Sequence, residues 1–351
     1  MHDHPIKFIS AVVAVCRIAA AAVLLSCFSS YACAQDFDKE SMRMQADRFL
    51  EGMPSGMQQR QAAAIRNAIA GDSRDLQSVR NSRNAVPQLS DNVRTVMLTP
   101  SLRLYEPIVS PDSRQLPLLI YFHGGGWTFG SLNSCGRFCD AIAASGNMKV
   151  LAVDYRLAPE HPFPEGLDDC VDAIEYAVRN YNRLNIDPAH ISVGGDSSGG
   201  NLAIASALSD RCAGMIESLV LFYPVTKAFA DNSLSWQKYG EGYGLDAEIM
   251  DVFNRAYAGD VDPYDDRISV GLCDSKMLER IPRTLLVAAG RDILCDQGKE
   301  FAAKVGSRLM RIEFPDAVHL FITVPGQDKA FGESVSLATD FILNRSYSRY
   351  E

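Results

Sequence analysis

Ser197 is the residue whose surroundings most clearly suggest chemistry. Residues 195–199 read GDSSG, and they follow a β-type run at 191–194 and precede a helical stretch at 200–209. A serine flanked by glycines at such a strand-to-helix turn is typical of a nucleophile elbow, because strand and helix approach too closely there for larger side chains. The hydroxyl would also lie near the positive end of the following helix. We predict that Ser197 is a nucleophile in acyl transfer.

A second glycine-rich segment, HGGGW at 123–127, follows the strand predicted at 117–122. Acyl transfer builds negative charge on the carbonyl oxygen, and losing one backbone N–H donor to that charge typically costs about 10²- to 10³-fold in rate. We assign the oxyanion hole to the loop of Gly124, Gly125 and Gly126 together with Ser198. The amides of Gly125, Gly126 and Ser198 are the expected donors, and Gly124 shapes the turn. The alternative is a flexible glycine-rich turn without this role.

The base is found by elimination. A histidine, with an ordinary pKa of about 6.5, can take up and return a proton near neutral pH. Beyond the first 34 residues the chain has only His123, His161, His190 and His319. Of these, only His319 follows a late predicted strand in a loop, so we predict that it is the base. A structural surface histidine is the alternative.

The acid is expected between serine and histidine in chain order. Asp292 follows the strand predicted at 284–288, in a loop that leads into a helix. Its carboxylate would hold the imidazole in one tautomer and stabilise the imidazolium. Asp296 is the rival, although it is also a candidate helix N-cap.

The elements around these residues predict an α/β fold. Strands alternate with helices, which indicates a mostly parallel, doubly wound sheet with its ligands beyond the carboxyl ends of the strands. The polar, helix-like segment 35–93 is expected to form an N-terminal cap. The stretch 225–283 is too long for a simple crossover and rich in aromatic residues, so we expect a lid inserted in the sheet. The predicted strands are 95–98, 102–105, 117–122, 149–154, 191–194, 219–222, 284–288 and 311–314, and the predicted helices are 139–144, 166–181, 200–209 and 297–305.

Composition excludes some classes of partner. The 351 residues are 47% apolar, enough for one large domain, 35–351, and the formal net charge is −9. No Lys/Arg run is dense enough to neutralise a row of phosphates, so nucleic acid is not an expected partner. Oligomeric state has no marker in the sequence.

The first 34 residues are typical of a secretory signal peptide. Lys7 and Arg17 are the only cations, residues 18–28 are apolar, and residues 32–34 supply an Ala-Cys-Ala cleavage site. We therefore expect an exported protein, periplasmic or secreted, without stable membrane insertion. Two alternatives stay open, namely a retained anchor helix at 8–28 and lipid attachment at Cys27.

Cleavage before Gln35 leaves six cysteines, a number that permits disulfides in an oxidising compartment but does not require them. Cys139 and Cys170 lie among apolar positions of helical stretches and are expected to be buried free thiols. Cys135 and Cys139 lack the partners of a zinc site, so no metal is predicted. The six are Cys135, Cys139, Cys170, Cys212, Cys273 and Cys295.

The chain resembles the hormone-sensitive-lipase-like family of α/β-hydrolases, esterases that carry HGGG and GDSAG motifs. The matching blocks are 123–126, 154–164, 195–199 and Asp292 with 319–321. The resemblance implies an N-terminal helical cap, hydrolysis of short to medium acyl esters, and no cofactor. The chain departs from the pattern by having Ser198 in place of alanine, Ile293 in place of proline and Leu320 in place of glycine.

Two groups of residues remain to be interpreted. Trp127 and Phe129 follow the oxyanion glycines and are predicted to line the acyl or alcohol pocket. The block 155–164 is expected to be mainly structural, with Arg156 and Glu160 paired behind the site.

Competing functions share parts of this pattern. A binding protein on a hydrolase scaffold, as in gibberellin receptors, would lack the histidine, and His319 argues against it. An acyltransferase, amidase or thioesterase would use the same three residues. A small-molecule ester is the preferred substrate because an alkoxide leaves more readily than an amine.

Overall fold

One eight-stranded sheet forms the centre of the protein. The computed structural model describes residues 38–108 and 115–344, so the predicted signal segment 1–34, with Cys27, lies outside the described residues. The sheet order is β1-β2-β4-β3-β5-β6-β7-β8. Strands β1, β2 and β4 pair antiparallel, and every other pair is parallel. The strands are β1 Val93–Thr99, β2 Leu102–Pro107, β3 Leu116–Phe122, β4 Lys149–Val153, β5 Ile186–Asp196, β6 Ser218–Phe222, β7 Arg283–Arg291 and β8 Leu309–Val318.

Helices surround this sheet, and the central strands are apolar because both of their faces are covered. Every predicted strand and helix is present, most of them one to several residues longer than expected. The described residues also contain three short 3₁₀ turns, Asp210–Cys212, Val270–Leu272 and Gly306–Arg308. The helices are α1 Lys39–Glu51, α2 Met57–Ile69, α3 Arg74–Arg83, α4 Gly136–Ala144, α5 Glu165–Arg179, α6 Tyr181–Leu184, α7 Ser198–Leu208, α8 Leu234–Tyr239, α9 Ala247–Ala258, α10 Ser275–Leu278, α11 Cys295–Val305 and α12 Asp328–Ile342.

The sheet has a topological switch point at β3. The chain passes from β3 to β4 on one side and then to β5 on the other, so the loops after β3 and β5 leave the sheet in diverging directions and open a crevice. In the register, Phe122 faces Gly195, and Asp196 faces Phe222. The carboxyl ends of β3, β5 and β6 therefore lie side by side.

The N-terminal helices pack against the insertion. Helix α2 contacts α9, and α1 contacts β8. Arg66 on α2 pairs with Glu248 on α9 at 2.6 Å, and the Asp246 N–H donates to Oε1 of Gln58 at 2.9 Å. The segments predicted as cap and lid are thus joined by polar contacts. None of the helices in the two described ranges is long and apolar enough to cross a bilayer.

All six cysteines of the described residues are free thiols, and five of them are buried. Cys139 and Cys170 are fully buried, as expected from their apolar neighbours. Burial raises the pKa of both thiols well above its usual range. Neither thiol is therefore a nucleophile at neutral pH.

The predicted ion pair between Arg156 and Glu160 is wrong. Arg156 pairs with Glu165 and Asp169, which stand four residues apart on one face of α5. Glu160 instead pairs with Arg80 of α3 at 2.8 Å. The turn between Arg156 and α5 directs Glu160 towards the N-terminal helices and leaves Arg156 facing the first turns of α5.

Candidate active site

Ser197 occupies the turn between β5 and α7. Its φ of 54° and ψ of −120° are unfavourable for a residue with a side chain, at a cost of about 1–3 kcal/mol. Two backbone bonds connect the turn to β6 and the loop after it, from the Ser197 N–H to the Phe222 carbonyl at 2.9 Å and from the Val225 N–H to the Ser197 carbonyl at 3.1 Å. A Cβ on Gly199 would lie 2.1 Å from the Phe122 carbonyl oxygen. The glycine of the motif is required because β3 passes this close.

The structure brings the three residues predicted as nucleophile, base and acid together. Nε2 of His319 lies 3.1 Å from Oγ of Ser197, and Nδ1 of His319 lies 2.6 Å from Oδ2 of Asp292. His319 and Asp292 are each 1% exposed, and Ser197 is 6% exposed. A buried imidazole between a hydroxyl and a carboxylate can take a proton from one and be oriented by the other.

Further hydrogen bonds and a ring contact fix the orientation of Asp292 and His319. Oδ1 of Asp292 accepts a hydrogen bond from the Leu294 N–H at 3.0 Å, so both carboxylate oxygens have partners. The amide of Gln327 donates to the His319 carbonyl at 3.1 Å, and the Tyr223 ring packs on the imidazole at 4.4 Å. Sequence reasoning missed Gln327 and Tyr223, which carry no motif of their own.

Asp296 takes no part in this group. It lies in the first turn of α11, and its Oδ2 accepts a hydrogen bond from the Ser235 N–H at 2.8 Å. The Ser235 hydroxyl in turn accepts from the Asp296 N–H at 3.1 Å. This reciprocal pair connects α8 of the insertion to α11. The N-cap residue of α11 is Leu294, so Asp296 is not the N-cap either.

Three backbone amides of the predicted oxyanion hole belong to residues that share the Ser197 cavity or follow Ser197 in the chain. Within the described residues, the N–H groups of Gly125, Gly126 and Ser198 donate to no protein acceptor, and Gly125 and Gly126 line the same cavity as Ser197. A Cβ on Gly126, where φ is 60°, would lie 2.2 Å from Cγ of Phe253. Only glycine therefore fits beneath the Phe253 ring in this conformation. These amides are free to bind an anion beside the serine.

Gly124 belongs to the oxyanion loop but is not one of its free donors, which agrees with its predicted role in shaping the turn. Its N–H donates to Oδ1 of Asp196 at 3.0 Å, and the Tyr121 hydroxyl donates to the same oxygen at 3.0 Å. Gly124 thus shapes the loop and offers no proton to a substrate. Burial raises the pKa of Asp196 to about 6, although both hydrogen bonds oppose the change. Asp196 is a further functional candidate that sequence reasoning missed, although it lies within GDSSG.

The hydroxyl of Ser197 opens into a cavity of about 50 Å³. The N-terminal helices, the oxyanion loop and the insertion all contribute to its wall. Phe129 lines it, as predicted, and packs edge-on against Phe253 with ring centres 5.6 Å apart. Its lining residues are Met57, Gln58, Gln61, Arg83, Gly125, Gly126, Phe129, Ser197, Gly244, Leu245, Ile249, Phe253, His319 and Leu320.

Trp127, predicted as a pocket residue, lies elsewhere. It is 1% exposed and stacks on Tyr257 of α9, with ring centres 4.4 Å apart and planes 2° from parallel. The positive φ of Trp127, 56°, directs its side chain under α9 and away from the cavity. The block 155–164 also contributes nothing to the cavity wall, in agreement with the structural role expected for it. Within the described part of the chain, no cluster of His, Cys, Asp or Glu is arranged to hold a metal ion.

Fold and site define a class of protein. A mostly parallel sheet that carries a serine elbow, a later aspartate and a final histidine is the arrangement of α/β-hydrolases. A family model described as alpha/beta hydrolase fold matches residues 119–323, more than half of the chain. The chain therefore belongs to this α/β-hydrolase family.

Relatives of the chain narrow the class. It is 31% identical over 280 residues to a carboxylesterase of Mycobacterium tuberculosis, a match that covers 74% of this chain and 86% of the relative. It is 35% identical over 230 residues to an ethyl acetate hydrolase of Pseudomonas putida, a match that covers 63% of this chain and 71% of the relative. Among solved structures, a thermostable carboxylesterase from a metagenomic library is 31% identical with a TM-score of 0.70, covering 79% of this chain and 98% of the other. The protein is an ester hydrolase of this family.

Proposed function

We propose that this ester hydrolase acts on carboxylic esters with short to medium acyl chains and forms a covalent acyl intermediate on Ser197. His319 is the general base and acid, and Asp292 orients it. The observation that carries the proposal is the pair of distances, 3.1 Å from His319 Nε2 to Ser197 Oγ and 2.6 Å from His319 Nδ1 to Asp292 Oδ2.

In the first half of the reaction, Oγ of Ser197 attacks the ester carbonyl carbon while Nε2 of His319 takes the hydroxyl proton. The carbonyl oxygen becomes an oxyanion and accepts hydrogen bonds from the amides of Gly125, Gly126 and Ser198. When this intermediate collapses, the bond to the alcohol oxygen breaks and His319 gives its proton to the leaving alkoxide. The acyl group remains on Ser197 and the alcohol departs.

Water completes the cycle. His319 removes a proton from a water molecule, the hydroxide attacks the acyl carbon, and the same amides stabilise the second oxyanion. Collapse breaks the bond to Ser197 Oγ, which recovers its proton from His319, and the carboxylic acid leaves. Asp292 remains ionised throughout and stabilises the imidazolium that forms twice in each turnover.

The dimensions of the cavity support short acyl chains. A volume of about 50 Å³ corresponds to a few water-sized spheres, enough for a small acyl group. Phe129, Phe253 and Leu245 give it apolar walls, which favour such a group over water. A relative named ethyl acetate hydrolase is consistent with this size.

We further propose that the enzyme acts outside the cytoplasm. The support is the pattern of residues 1–34, with two cations, an apolar run and an Ala-Cys-Ala site. The mass of the protein recovered from its producing cells tests this proposal. A chain that begins at Gln35 is expected, a lipid-bearing chain that begins at Cys27 would indicate an anchor, and an intact N-terminus would contradict cleavage.

The experiment for the catalytic proposal compares p-nitrophenyl acetate, butyrate, octanoate and palmitate as substrates. We expect kcat/KM to be highest for acetate or butyrate, and we expect Ser197→Ala to lower kcat by about 10⁶-fold. Ser206→Ala is the matched control, because Ser206 lies on the same helix outside the cavity and its hydroxyl has no partner among the described residues. Equal rates in wild type and Ser197→Ala would refute the assignment.

A further inference from the structure

The cavity at Ser197 contains one permanent charge. Arg83, the last residue of α3, is part of its wall, whereas no aspartate or glutamate is. His319 is the only other ionisable residue of that wall. A substrate bound to Ser197 therefore meets a guanidinium and no carboxylate that would repel an anion.

Arg83 has no ionic partner within the described residues. Its guanidinium carbon lies over the Phe129 ring at 5.2 Å, a cation–π contact that holds it beside the cavity. The residue as a whole is exposed, but desolvation lowers the pKa of its guanidinium, which stays charged at neutral pH. Arg80, one helical turn earlier, is fully occupied, because it pairs with Glu160 and donates to the Thr128 and Ala158 carbonyls. Arg80 thus connects α3 to the neighbouring loops, whereas the guanidinium of Arg83 has no carboxylate partner among the described residues.

A second, wider cavity begins at Arg83. It measures about 340 Å³, and Arg83 is the one residue that these two cavities share. Its wall is polar and includes Asn81 of α3, Asn84 at the C-cap of α3 and Ser131 in the loop after β3. Its single carboxylate is Asp154. A group that reaches Arg83 from Ser197 therefore also comes to the edge of this polar cavity, whose other two arginines, Arg80 and Arg156, are ion-paired.

We propose that Arg83 is a specificity-determining residue that selects esters bearing a second, ionised carboxylate, as in half-esters of dicarboxylic acids. The inference rests on the proposed function, because the ester must first reach Ser197. The planar guanidinium can donate two parallel hydrogen bonds to a carboxylate, a geometry that no neutral acyl chain satisfies. Because the contact lies away from the reacting carbonyl and is present before and during the reaction, it lowers KM more than it raises kcat.

The test compares two substrates of equal chain length, the anionic p-nitrophenyl hemiester of glutaric acid and neutral p-nitrophenyl pentanoate. The measured quantity is the ratio of their kcat/KM values in wild type, Arg83→Met, Arg83→Lys and Arg43→Met. Arg43 is the matched control, because it is exposed on α1, lines neither cavity and changes the net charge by the same amount. Each ratio comes from a single preparation, so partial misfolding affects both substrates alike.

We expect the ratio to favour the anionic ester in wild type and to fall about tenfold in Arg83→Met, mainly through KM. Arg83→Lys keeps the charge and should restore part of the preference. Arg43→Met should give the wild-type ratio. Concentrated salt should shrink the ratio in wild type, because it screens the attraction between the Arg83 guanidinium and the anionic ester. Salt should leave the ratio of Arg83→Met unchanged. A wild-type preference for pentanoate, or equal ratios in Arg83→Met and Arg43→Met, would overturn the proposal.

A binding measurement separates this inference from the catalytic proposal. In the Ser197→Ala background, calorimetric titration with monomethyl glutarate is compared with titration with dimethyl glutarate. Tighter binding of the monoanion that disappears when Arg83→Met is added supports Arg83 whether or not turnover occurs. Equal binding of the two esters contradicts it. Failure of wild type to hydrolyse either p-nitrophenyl ester would remove the catalytic proposal alone.

Discussion

Replacement of Asp292 by asparagine should abolish most activity without unfolding the protein. The Leu294 N–H donates to Oδ1, so the amide NH2 of an asparagine would face Nδ1 of His319. Nδ1 would then have to accept, which moves the imidazole proton to Nε2 and makes His319 a donor towards Ser197. Reversing the amide would leave two donors facing each other at Leu294, at a cost of about 2 kcal/mol.

The size of the loss follows from two contributions. The wrong tautomer costs about 2 kcal/mol, and removing a buried charge that faces the imidazolium costs about 3 kcal/mol. Together these correspond to a decrease in kcat of about 10⁴-fold. Steady-state hydrolysis of p-nitrophenyl acetate measures it, and the thermal midpoint checks folding. Asp296→Asn is the control, because an amide oxygen can still accept a hydrogen bond from the Ser235 N–H. The kcat of Asp296→Asn should stay within about threefold of wild type. A large loss of kcat in Asp296→Asn together with near-wild-type kcat in Asp292→Asn would refute the reasoning.

Two more changes test the loops around Ser197. Gly126→Ala should lower kcat about 10²-fold, because its Cβ would meet the Phe253 ring and displace one amide donor; a rate within threefold of wild type would contradict this. Burial raises the pKa of Asp196 from 3.8 to about 6, so between these pH values the folded protein keeps a proton that the unfolded chain loses. The free energy of unfolding should therefore fall by about 3 kcal/mol between about pH 4 and 6, and Asp196→Asn should remove this decline. Urea titrations across this range measure it, and equal pH slopes would refute it.

Sequence pattern predicted the elements, and also the three side chains that the structure brings together, because both depend on local chemistry. The strand at 191–194 and the helix at 200–209 are defined by apolar runs and glycines within ten residues of Ser197. Few histidines compete with His319, so elimination is enough to find it. Asp292 stands nearer the strand end than Asp296 does, and the structure places Asp292 against His319.

The wrong predictions concern directions of side chains, which sequence spacing does not define. Trp127 follows the oxyanion glycines, yet its positive φ turns the indole towards Tyr257. Arg156 and Glu160 are four residues apart, a spacing that brings side chains together only on a helix, and here the chain between them forms turns. Contacts with distant segments decided both outcomes. The unpaired state of Arg83 could not be predicted from the sequence either, because it depends on how α3, the oxyanion loop and the insertion pack together.

Asp196 links the nucleophile to the oxyanion loop. It precedes Ser197 at the end of β5, and one of its oxygens accepts from Gly124 after β3 and from Tyr121 within β3. Movement of Ser197 would therefore stretch bonds to the loop that presents the amides of Gly125 and Gly126. In the proposed reaction the chemistry takes place at this sheet edge, whereas much of the cavity wall comes from the N-terminal helices and the insertion. A change in Arg83 or Met57 should alter which ester is preferred, and a change in Asp196 should slow every ester alike.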